Sequence, residues 1–518
     1  MTYTFIRSLP VRVPLLSLLL VTAASATATA QITAQEYEQR RATLASRLPE
    51  GVFVIRGGES PVQDYLSFYQ TNGFLYLTGY REPDAALILN KRGNDAAWTL
   101  FVQTKIPAQE VWSGRRYGPD SASQATGIPT KPISAFEPTV DSLLRVSPRL
   151  AFHADIAEGG DTLNNDSRFL DDLRRKHSTL QVTEANSLVT TMRSKKSAAE
   201  LDLIQRAAAI SMDAHAEAAR ALEPGMNEFE IQALLEYTFR RYGADRPAYA
   251  SIVGSGPNST VLHYNRDDRY MKAGDLLLID AAASFGGYAA DITRTFPVSG
   301  RFTPEQREVY QIVRDAQAAA ERAAKPGASW RDVSRAASTV IAEGLARLGL
   351  IEAPTASYEC GTTDRPRQCS QASLYYMHGL GHGIGLAVHD PDQKDRTGID
   401  VGSAYSIEPG IYVRQELLDI IPKAGNEALL AKIAPAVRKY ANTGVRIEDN
   451  YIVTENGVKW VTCVAREADE VEALMREPVK GPAGRDADRI AWYGATVVDA
   501  KAAKPNAAPA PKACNPKM

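Results

Sequence analysis

Residues 276–296, LLLIDAAASFGGYAADITRTF, constrain the fold more than any other stretch of this chain. An apolar run is followed by Gly286-Gly287 and then by a second run, which is typical of two β-strands joined by a tight turn. If Phe285 faces Tyr288 across that turn, the numbers of paired residues sum to 573. The stretch therefore predicts an antiparallel ribbon with a defined register.

Two aspartates lie on this ribbon. In the predicted register Asp291 faces Ala282, which is two residues from Asp280, so both aspartates lie on the same side of the ribbon. Diagonal neighbours of this kind are about 7 Å apart. Two carboxylates directed at one point repel each other strongly unless a cation lies between them. The ribbon thus favours a metal site, and the alternative is that one aspartate faces solvent.

A second stretch, HGLGHGIGLAVHD at residues 378–390, contains three of the chain's seven histidines, His378, His382 and His389. Imidazole can bind a metal, transfer a proton near neutral pH or stabilise a developing anion. A single histidine is more often a packed or surface residue. The stretch alone leaves open a metal site, an acid–base site and a glycine loop with incidental imidazoles.

Two glutamates occupy strands that are otherwise built for burial. Glu408 ends the β-like run in YSIEPG, and in GVRIEDNYIV, residues 444–453, Arg446 and Glu448 share one face. Either glutamate alone could be a surface residue. Together with the two aspartates they favour a metal site, because buried carboxylates need partners or metals.

The length of 518 residues predicts at least two domains. Residues 31–190 predict an α/β domain, in which a helix at 33–48 precedes the β-like runs GVFVIRG, GFLYLTGY, AALILN and WTLFVQ. Residues 191–475 predict an α+β domain. Its helices are expected to begin near Ser197, Thr303 and Ser329, and its strands to lie around 248–256, 274–280, 288–296, 403–413 and 444–454.

The net charge of the chain and its N-terminal sequence indicate which partners and which cellular location to expect. The formal net charge is −2, from 59 basic and 61 acidic residues, and no run of Lys or Arg marks a phosphate-binding face, so nucleic acid is not an expected partner. Arg7 and Arg12 precede the apolar run VPLLSLLLVTAA, and small residues ending in Ala-Thr-Ala complete a typical signal peptide over residues 1–30. That run is too short to span a bilayer comfortably. The mature protein is expected to be exported, to the periplasm or the medium, without a membrane span.

Four cysteines are too few for a disulfide scaffold. Cys360 and Cys369 flank a polar insertion and could close a small loop. Cys463 and Cys514 are far apart in sequence and are expected to stay free, although connectivity does not follow from sequence. Residues 476–518 are expected to form an extension that ends in a disordered tail rich in Ala, Pro and Lys.

The motifs resemble those of the pita-bread metallopeptidases, and within them the proline-specific branch that contains aminopeptidase P and prolidase. DITRTFPV, HGLGHGIG, IEPGIYV and GVRIEDNYIV carry two aspartates, one histidine and two glutamates in the family's order. EYEQRR, YQTNGFLYLTGYREPDAALIL and EVWSGRRYGPDSA resemble the N-terminal domain of aminopeptidase P. The resemblance covers residues 34–475 and implies an α/β N-terminal domain followed by an α+β pita-bread (creatinase/aminopeptidase-like) catalytic domain. The signal, the insertions near 352–372 and 414–440 and the tail depart from the family pattern.

The resemblance also implies a dinuclear metal site. Asp280 would chelate one metal, Asp291 and Glu448 would bridge both, and His382 and Glu408 would bind the second. An oxygen-rich site with one imidazole suits Mn²⁺, Co²⁺, Fe²⁺ or Zn²⁺. The resemblance points to Mn²⁺, while the residues themselves do not choose among these ions.

Further roles follow from the same resemblance. His389 would steady the scissile carbonyl oxygen, and His378 and His263, in TVLHYN, would shape the site around proline. Arg446 would support that arrangement, and Glu408 would also carry a proton. The implied activity is removal of the first residue from peptides that have proline in second position, by attack of a hydroxide bound to two metals. The alternatives are an Xaa-Pro dipeptidase (prolidase) and, more remotely, a non-peptidase or binding protein on the same fold. Homo-oligomers, dimers or tetramers, are also expected from the family.

Overall fold

The computed structural model describes residues 32–480, apart from residues 64, 155–164, 363 and 393–397, and also Cys514. The expected signal peptide and nearly all of the expected tail lie outside these residues. Within the part of the chain that is described, no helix combines the length and the apolar character that crossing a membrane would require.

The N-terminal part is an α/β unit, as the sequence predicts. Its helices are α1 Ala34–Arg47, α2 Asn72–Thr78, α3 Pro107–Ser113, α4 Gly118–Thr126, α5 Phe136–Val146, α6 Asn165–Lys176 and α7 Asn186–Arg193. Its strands are β1 Gly51–Arg56, β2 Ala86–Arg92, β3 Asp95–Val102, β4 Thr130–Pro132, β5 Arg149–His153 and β6 Gln181–Glu184. They form one mixed sheet in the order β4-β3-β2-β1-β5-β6. Alternate residues of β1 enter two different hydrophobic clusters, so the centre of the sheet is buried on both faces.

One predicted strand of this unit is wrong. GFLYLTGY, at residues 73–80, forms helix α2 instead of a strand. Every residue from Gly73 to Thr78 is buried, so the run lacks the periodicity that separates a helix from a strand. Gly79 ends the helix with φ of 68°, and its N–H donates to the carbonyl oxygen of Leu75, as in a left-handed helix cap.

The C-terminal part is the α+β unit. Its helices are α8 Ala198–Ala221, α9 Glu228–Arg241, α10 Pro304–Ala323, α11 Trp330–Arg347, α12 Leu417–Ile420, α13 Glu427–Lys439 and α14 Ala468–Met475. Its strands are β7 Arg246–Pro247, β8 Ile252–Ser255, β9 Leu276–Asp280, β10 Ala283–Phe285, β11 Tyr288–Ala289, β12 Thr293–Pro297, β13 Ser357–Glu359, β14 Gln368–Ser370, β15 Ala404–Ile407, β16 Gly410–Val413, β17 Thr443–Arg446, β18 Asp449–Thr454 and β19 Gly457–Trp460. The expected helix starts are confirmed, since Ser197 and Thr303 form capping boxes and Ser329 is the N-cap of α11.

Three strands that the sequence predicts as continuous are divided in two. The segment around 288–296 is interrupted between β11 and β12, that around 403–413 between β15 and β16, and that around 444–454 between β17 and β18. In each case the two halves pair with different strands, and Pro409, which has no N–H for a ladder, lies in one interruption. The antiparallel small sheets β11-β10-β7, β12-β9-β8, β15-β18-β19 and β16-β17 result. The interruptions contain acidic side chains that the sequence marks as candidate metal ligands.

Both cysteine pairs are bonded. Cys360 and Cys369 close the β13–β14 hairpin, with Cα atoms 5.8 Å apart, as the sequence suggested. The expectation that Cys463 and Cys514 stay free is wrong, because they form a disulfide with a Cα–Cα distance of 5.4 Å. A separation of 51 residues in sequence does not limit how closely two residues approach in the fold.

Buried polar contacts join the two units next to the ribbon. Arg40 of α1 donates to the carbonyl oxygen of Tyr76 and lies 3.3 Å from the carboxylate of Glu200 in α8. The hydroxyl of Tyr288 donates to the same Glu200 side chain at 2.9 Å. The ribbon that carries the two aspartates is therefore braced from the N-terminal unit.

Candidate metal centre

The ribbon has the register that the sequence predicts. Phe285 pairs with Tyr288, and Asp280 pairs with Thr293 further along, so the same pairing runs from the turn through to β9 and β12. The hydroxyl of Tyr249 lies 2.6 Å from Asp280 Oδ1 and 2.5 Å from Asp291 Oδ1. The two aspartates therefore point at the same region.

His382 lies next to Asp291 of the ribbon and next to Glu408. His382 Nε2 lies 3.3 Å from Asp291 Oδ2 and 3.3 Å from Glu408 Oε1. Glu408 stands in the interruption between β15 and β16. One imidazole thus contacts a carboxylate from each of two sheets.

Glu448 completes the group. It stands in the interruption between β17 and β18, and it is 1% exposed. Its Oε2 accepts a hydrogen bond of 2.7 Å from the hydroxyl of Thr293, whereas its Oε1 has no hydrogen-bond partner among the described residues. A buried carboxylate oxygen without a donor is costly, and a cation would remove that cost.

The electrostatics of this group also fit a cation. Burial and the Asp280 carboxylate raise the pKa of Asp291, and burial raises the pKa of Glu408 to about 7. Burial, with the Asp291 and Glu408 carboxylates, raises the pKa of Glu448 well above its usual range. Burial alone would lower the pKa of His382, but the Asp291 and Glu408 carboxylates outweigh it and raise that pKa to about 9. The protein therefore holds acidic groups together at a cost that bound cations would offset.

Three of the five expected ligands form a tight donor set. One ligand atom from each of Asp291, His382 and Glu448 lies within 4.8 Å of the others. Asp280 is instead held by Arg446, whose Nη2 donates to its Oδ2 at 2.5 Å. Glu408 stands outside the tight set, although its contact with His382 keeps it adjacent.

A second network fixes the protonation of His378. Arg446 Nη1 donates to the hydroxyl oxygen of Tyr412 at 2.9 Å, and in the neutral imidazole with its proton on Nδ1 the Tyr412 hydroxyl donates to His378 Nε2 at 2.8 Å. His378 Nδ1 then donates to the carbonyl oxygen of Gly379 at 2.8 Å. Burial, with the nearby Arg446 guanidinium, lowers the pKa of His378 to about 4, which matches this neutral form.

His389 and His263 complete the set of expected histidines. The rings of His389 and His382 meet edge to face with centroids 4.2 Å apart. Asp390, the residue after His389, forms ion pairs with Arg193 and Lys196. These ion pairs anchor the end of the loop that runs from His382 to His389.

All nine side chains that the sequence selects line one cavity of about 670 Å³: His263, Asp280, Asp291, His378, His382, His389, Glu408, Arg446 and Glu448. Apolar side chains of Ile252, Leu262 and Val388 line the same cavity. It can therefore hold a ligand that has both a polar reacting group and an apolar ring.

Sequence reasoning missed three residues of this site, Tyr249, Thr293 and Tyr412. Thr293 could have been predicted from the sequence, because it lies two residues from Asp291 and strand alternation places both side chains on one face. Tyr412 follows Glu408 in a quoted motif, but nothing local indicates that it contacts a histidine. Tyr249 carries no sequence signal, since only the tertiary fold brings it to the aspartates.

Comparisons with known proteins agree with this geometry. Residues 202–455 match the family model for metallopeptidase family M24, and residues 37–151 match that for the aminopeptidase P N-terminal domain. The chain is 32% identical over 460 residues to an Xaa-Pro aminopeptidase of Escherichia coli (strain K12), covering 86% of this chain and 98% of that protein. A human Xaa-Pro dipeptidase is 34% identical over 299 residues, covering 53% of this chain and 59% of that protein.

The same similarity holds in three dimensions. A solved structure of a variant of Escherichia coli aminopeptidase P in complex with substrate superposes with a TM-score of 0.73 at 30% sequence identity. The match covers 86% of this chain and 98% of that one. Both units of the fold therefore have counterparts in one relative.

Proposed function

The chain belongs to the Xaa-Pro aminopeptidases of metallopeptidase family M24, and we propose that it releases the first residue of peptides whose second residue is proline. The observation that carries this proposal is the convergence of all nine selected side chains on one cavity, in a chain that matches the relative in both units.

The donor set supports a dinuclear site, with Asp280, Asp291, His382, Glu408 and Glu448 as the proposed ligands. Four carboxylates and one imidazole suit divalent ions with mixed oxygen and nitrogen preference, and we propose two Mn²⁺ ions, with Co²⁺, Fe²⁺ or Zn²⁺ as alternatives. When bound, such a pair supplies Lewis acidity and lowers the pKa of a water molecule.

The remaining side chains have roles that follow from their protonation. We assign proton transfer to Glu408, a carboxylate that lines the cavity beside His382. His378 is neutral, and its Nε2 is occupied by Tyr412, so it orients a wall of the pocket and does not donate through that atom. We assign to His389 the scissile carbonyl oxygen, to His263 the proline ring, and to Arg446 the support of Asp280 and Tyr412.

Selectivity for proline follows from the bond itself. An Xaa-Pro bond has a tertiary amide nitrogen without an N–H, so a site that requires that donor rejects it. A cavity that combines imidazole rings with Ile252, Leu262 and Val388 can enclose the apolar pyrrolidine ring.

An Xaa-Pro dipeptidase is the second candidate, because it would share the same ligands. The match to the aminopeptidase P N-terminal domain and the 98% coverage of the bacterial aminopeptidase favour the aminopeptidase. The human dipeptidase matches only about half of this chain.

We further propose that the protein is exported and assembles as a homo-oligomer. The N-terminal signal motif supports export, and so do the two disulfides that pair all four cysteines, since such bonds persist in oxidising compartments. Oligomerisation follows from the family resemblance alone. Light scattering of the purified protein tests it.

The proposed activity is tested with the mature chain, residues 31–518, loaded with Mn²⁺. An Xaa-Pro dipeptide, an Xaa-Pro-Yaa tripeptide and a matched Xaa-Ala-Yaa tripeptide are offered in parallel, and products are read by mass spectrometry. We expect release of Xaa from the proline tripeptide only. Cleavage of the dipeptide alone would identify a dipeptidase, and equal cleavage of both tripeptides would overturn the proline assignment.

A further inference from the structure

A second crevice, of about 340 Å³, lies where the two units meet. Arg81 enters it from the segment that matches the aminopeptidase P N-terminal domain, and Arg240 and Arg246 enter it from the M24 segment. Gly287, at the turn of the ribbon, also lines it. We propose that this crevice binds a small oxyanion, a carboxylate or a phosphate, through the three guanidinium groups.

Neutral groups orient all three guanidinium groups. Arg81 Nη2 donates to the carbonyl oxygen of Gly286 at 2.9 Å, and Arg240 Nη1 donates to that of Ala244 at 2.8 Å. The guanidinium carbon of Arg246 lies 4.1 Å from the centroid of the Tyr69 ring. These contacts orient the groups and leave several N–H donors on each without a hydrogen-bond partner among the described residues.

Their charge is not compensated. Asp245 is the one acidic residue among the described residues that line the crevice, and its Oδ2 accepts the N–H of Gly287 at 2.7 Å. None of the three arginines forms an ion pair with a described carboxylate. Elsewhere this chain does neutralise convergent cations, as where Asp390 pairs with both Arg193 and Lys196.

The chemistry of the crevice selects the ligand class. A guanidinium fork matches the spacing of two oxygens in a carboxylate or a phosphate, and it binds either through paired hydrogen bonds. A cleft with an excess of positive charge raises the local concentration of anions. Asn72 and Ser284 line the same crevice and supply neutral polar groups. A small ligand with more than one anionic oxygen fits this combination.

The proposal does not rest on the peptidase activity. The crevice includes Gly287 at the turn of the ribbon, four residues before Asp291 in the sequence. None of its arginines lines the metal cavity. Their substitution therefore tests anion binding separately from catalysis.

Calorimetric titration of the full mature chain tests the proposal. Inorganic phosphate and succinate are the two probes, and each is titrated separately. They are chosen because both chelate divalent cations weakly. The variants are Arg81→Gln, Arg246→Gln and the double variant. Arg335→Gln is the matched control, since Arg335 is exposed, pairs with Asp332 and lies outside the crevice. Unfolding midpoints verify that each variant folds, and the single variants serve if the double variant does not.

We expect saturable binding of at least one probe, weakened about tenfold by each single variant and unchanged by the control. Preference for phosphate or for succinate would identify the source of the oxyanion. The proposal is overturned if neither probe binds, or if the crevice variants bind as tightly as the unmodified protein.

Discussion

Glu448 and Asp449 are neighbours in the chain and both are buried, yet the protein surrounds their carboxylates in opposite ways. Asp449 accepts hydrogen bonds from Arg294, Arg466, Gln317 and Thr462. Although burial alone would raise its pKa, Arg294 and Arg466 hold that pKa below its usual range. Glu448 receives one hydrogen bond, and its pKa lies well above the usual range.

The difference distinguishes a carboxylate that holds the fold together from one kept ready for a ligand. Arg294 is fully buried, and it also donates to the carbonyl oxygen of Glu448 at 2.7 Å. The satisfied carboxylate thus anchors the arginine that positions the backbone of the unsatisfied one. A complete set of donors indicates structure, whereas a deficit of donors indicates a site.

The largest expected effect is a loss of folding stability when Asp449, the carboxylate with a full set of hydrogen-bond donors, is substituted. Asp449→Asn removes the charge that compensates buried Arg294, and loss of one partner of a buried ion pair costs about 3–5 kcal/mol. The urea midpoint of the metal-free protein measures it. Glu448→Gln is the matched control and should leave that midpoint unchanged or higher, and equal destabilisation by both variants would contradict the comparison.

The next largest effect is a loss of metal affinity and activity when Glu448, the carboxylate that lacks donors, is substituted. Glu448→Gln removes a proposed ligand, and we expect metal affinity and peptidase activity to fall by at least about 100-fold. Mn²⁺ affinity is measured by calorimetry and activity on the proline tripeptide. Retention of full metal affinity would remove Glu448 from the ligand set.

Proton release upon metal binding sharpens the comparison. Metal ligands must be deprotonated, so affinity should rise by up to about tenfold per pH unit for each group that releases a proton, below the pKa values of Glu408, about 7, and His382, about 9. Calorimetry in buffers of different ionisation enthalpy counts the protons released. A pH-independent affinity between pH 6 and 9 would contradict this expectation.

The stability of the metal-free protein should change in the opposite direction. Both folded-state pKa values lie above the ordinary values of 4.5 and 6.5, so both groups bind protons more tightly when folded. Their stabilising contribution is complete below the ordinary value and is lost as the pH rises through the folded value. The unfolding midpoint without metal should therefore fall from about pH 5 to 9.

The smallest expected effect comes from the single donor to Glu448. Thr293→Val keeps the shape of the side chain but removes its hydrogen bonds with Glu448 and with Arg446 Nε. We expect metal affinity to fall about tenfold, as for other groups that orient a metal ligand. Thr295→Val, on the same strand but bonded only to backbone of Arg446, is the control and should change affinity less.

Those features that depend on local chemistry could be predicted from the sequence. The ribbon register follows from a turn and two apolar runs, and the starts of α8 and α10 follow from their capping boxes. The four carboxylates could be selected as candidate ligands because carboxylates are out of place in apolar strands, whereas His382 was selected through the family resemblance.

The rest depends on contacts that the local sequence does not contain. The buried helix at 72–78 has the apolar composition of a strand, and only its surroundings decide between them. The strand interruptions at Glu408 and Glu448 reflect a change of pairing partner between separate sheets. Tyr249 and the pairing of Cys463 with Cys514 require residues distant in sequence to meet.

The uninterrupted register of the ribbon limits how this chain can change in length. Ten residues separate Asp280 from Asp291, and the side-chain period of a strand is two. Inserting or deleting one residue within either arm would turn one aspartate to the opposite face while leaving composition and hydropathy almost unaltered. Length variation among descendants of this sequence should therefore be rare in this hairpin, and a single-codon gain there should be lost from the lineage.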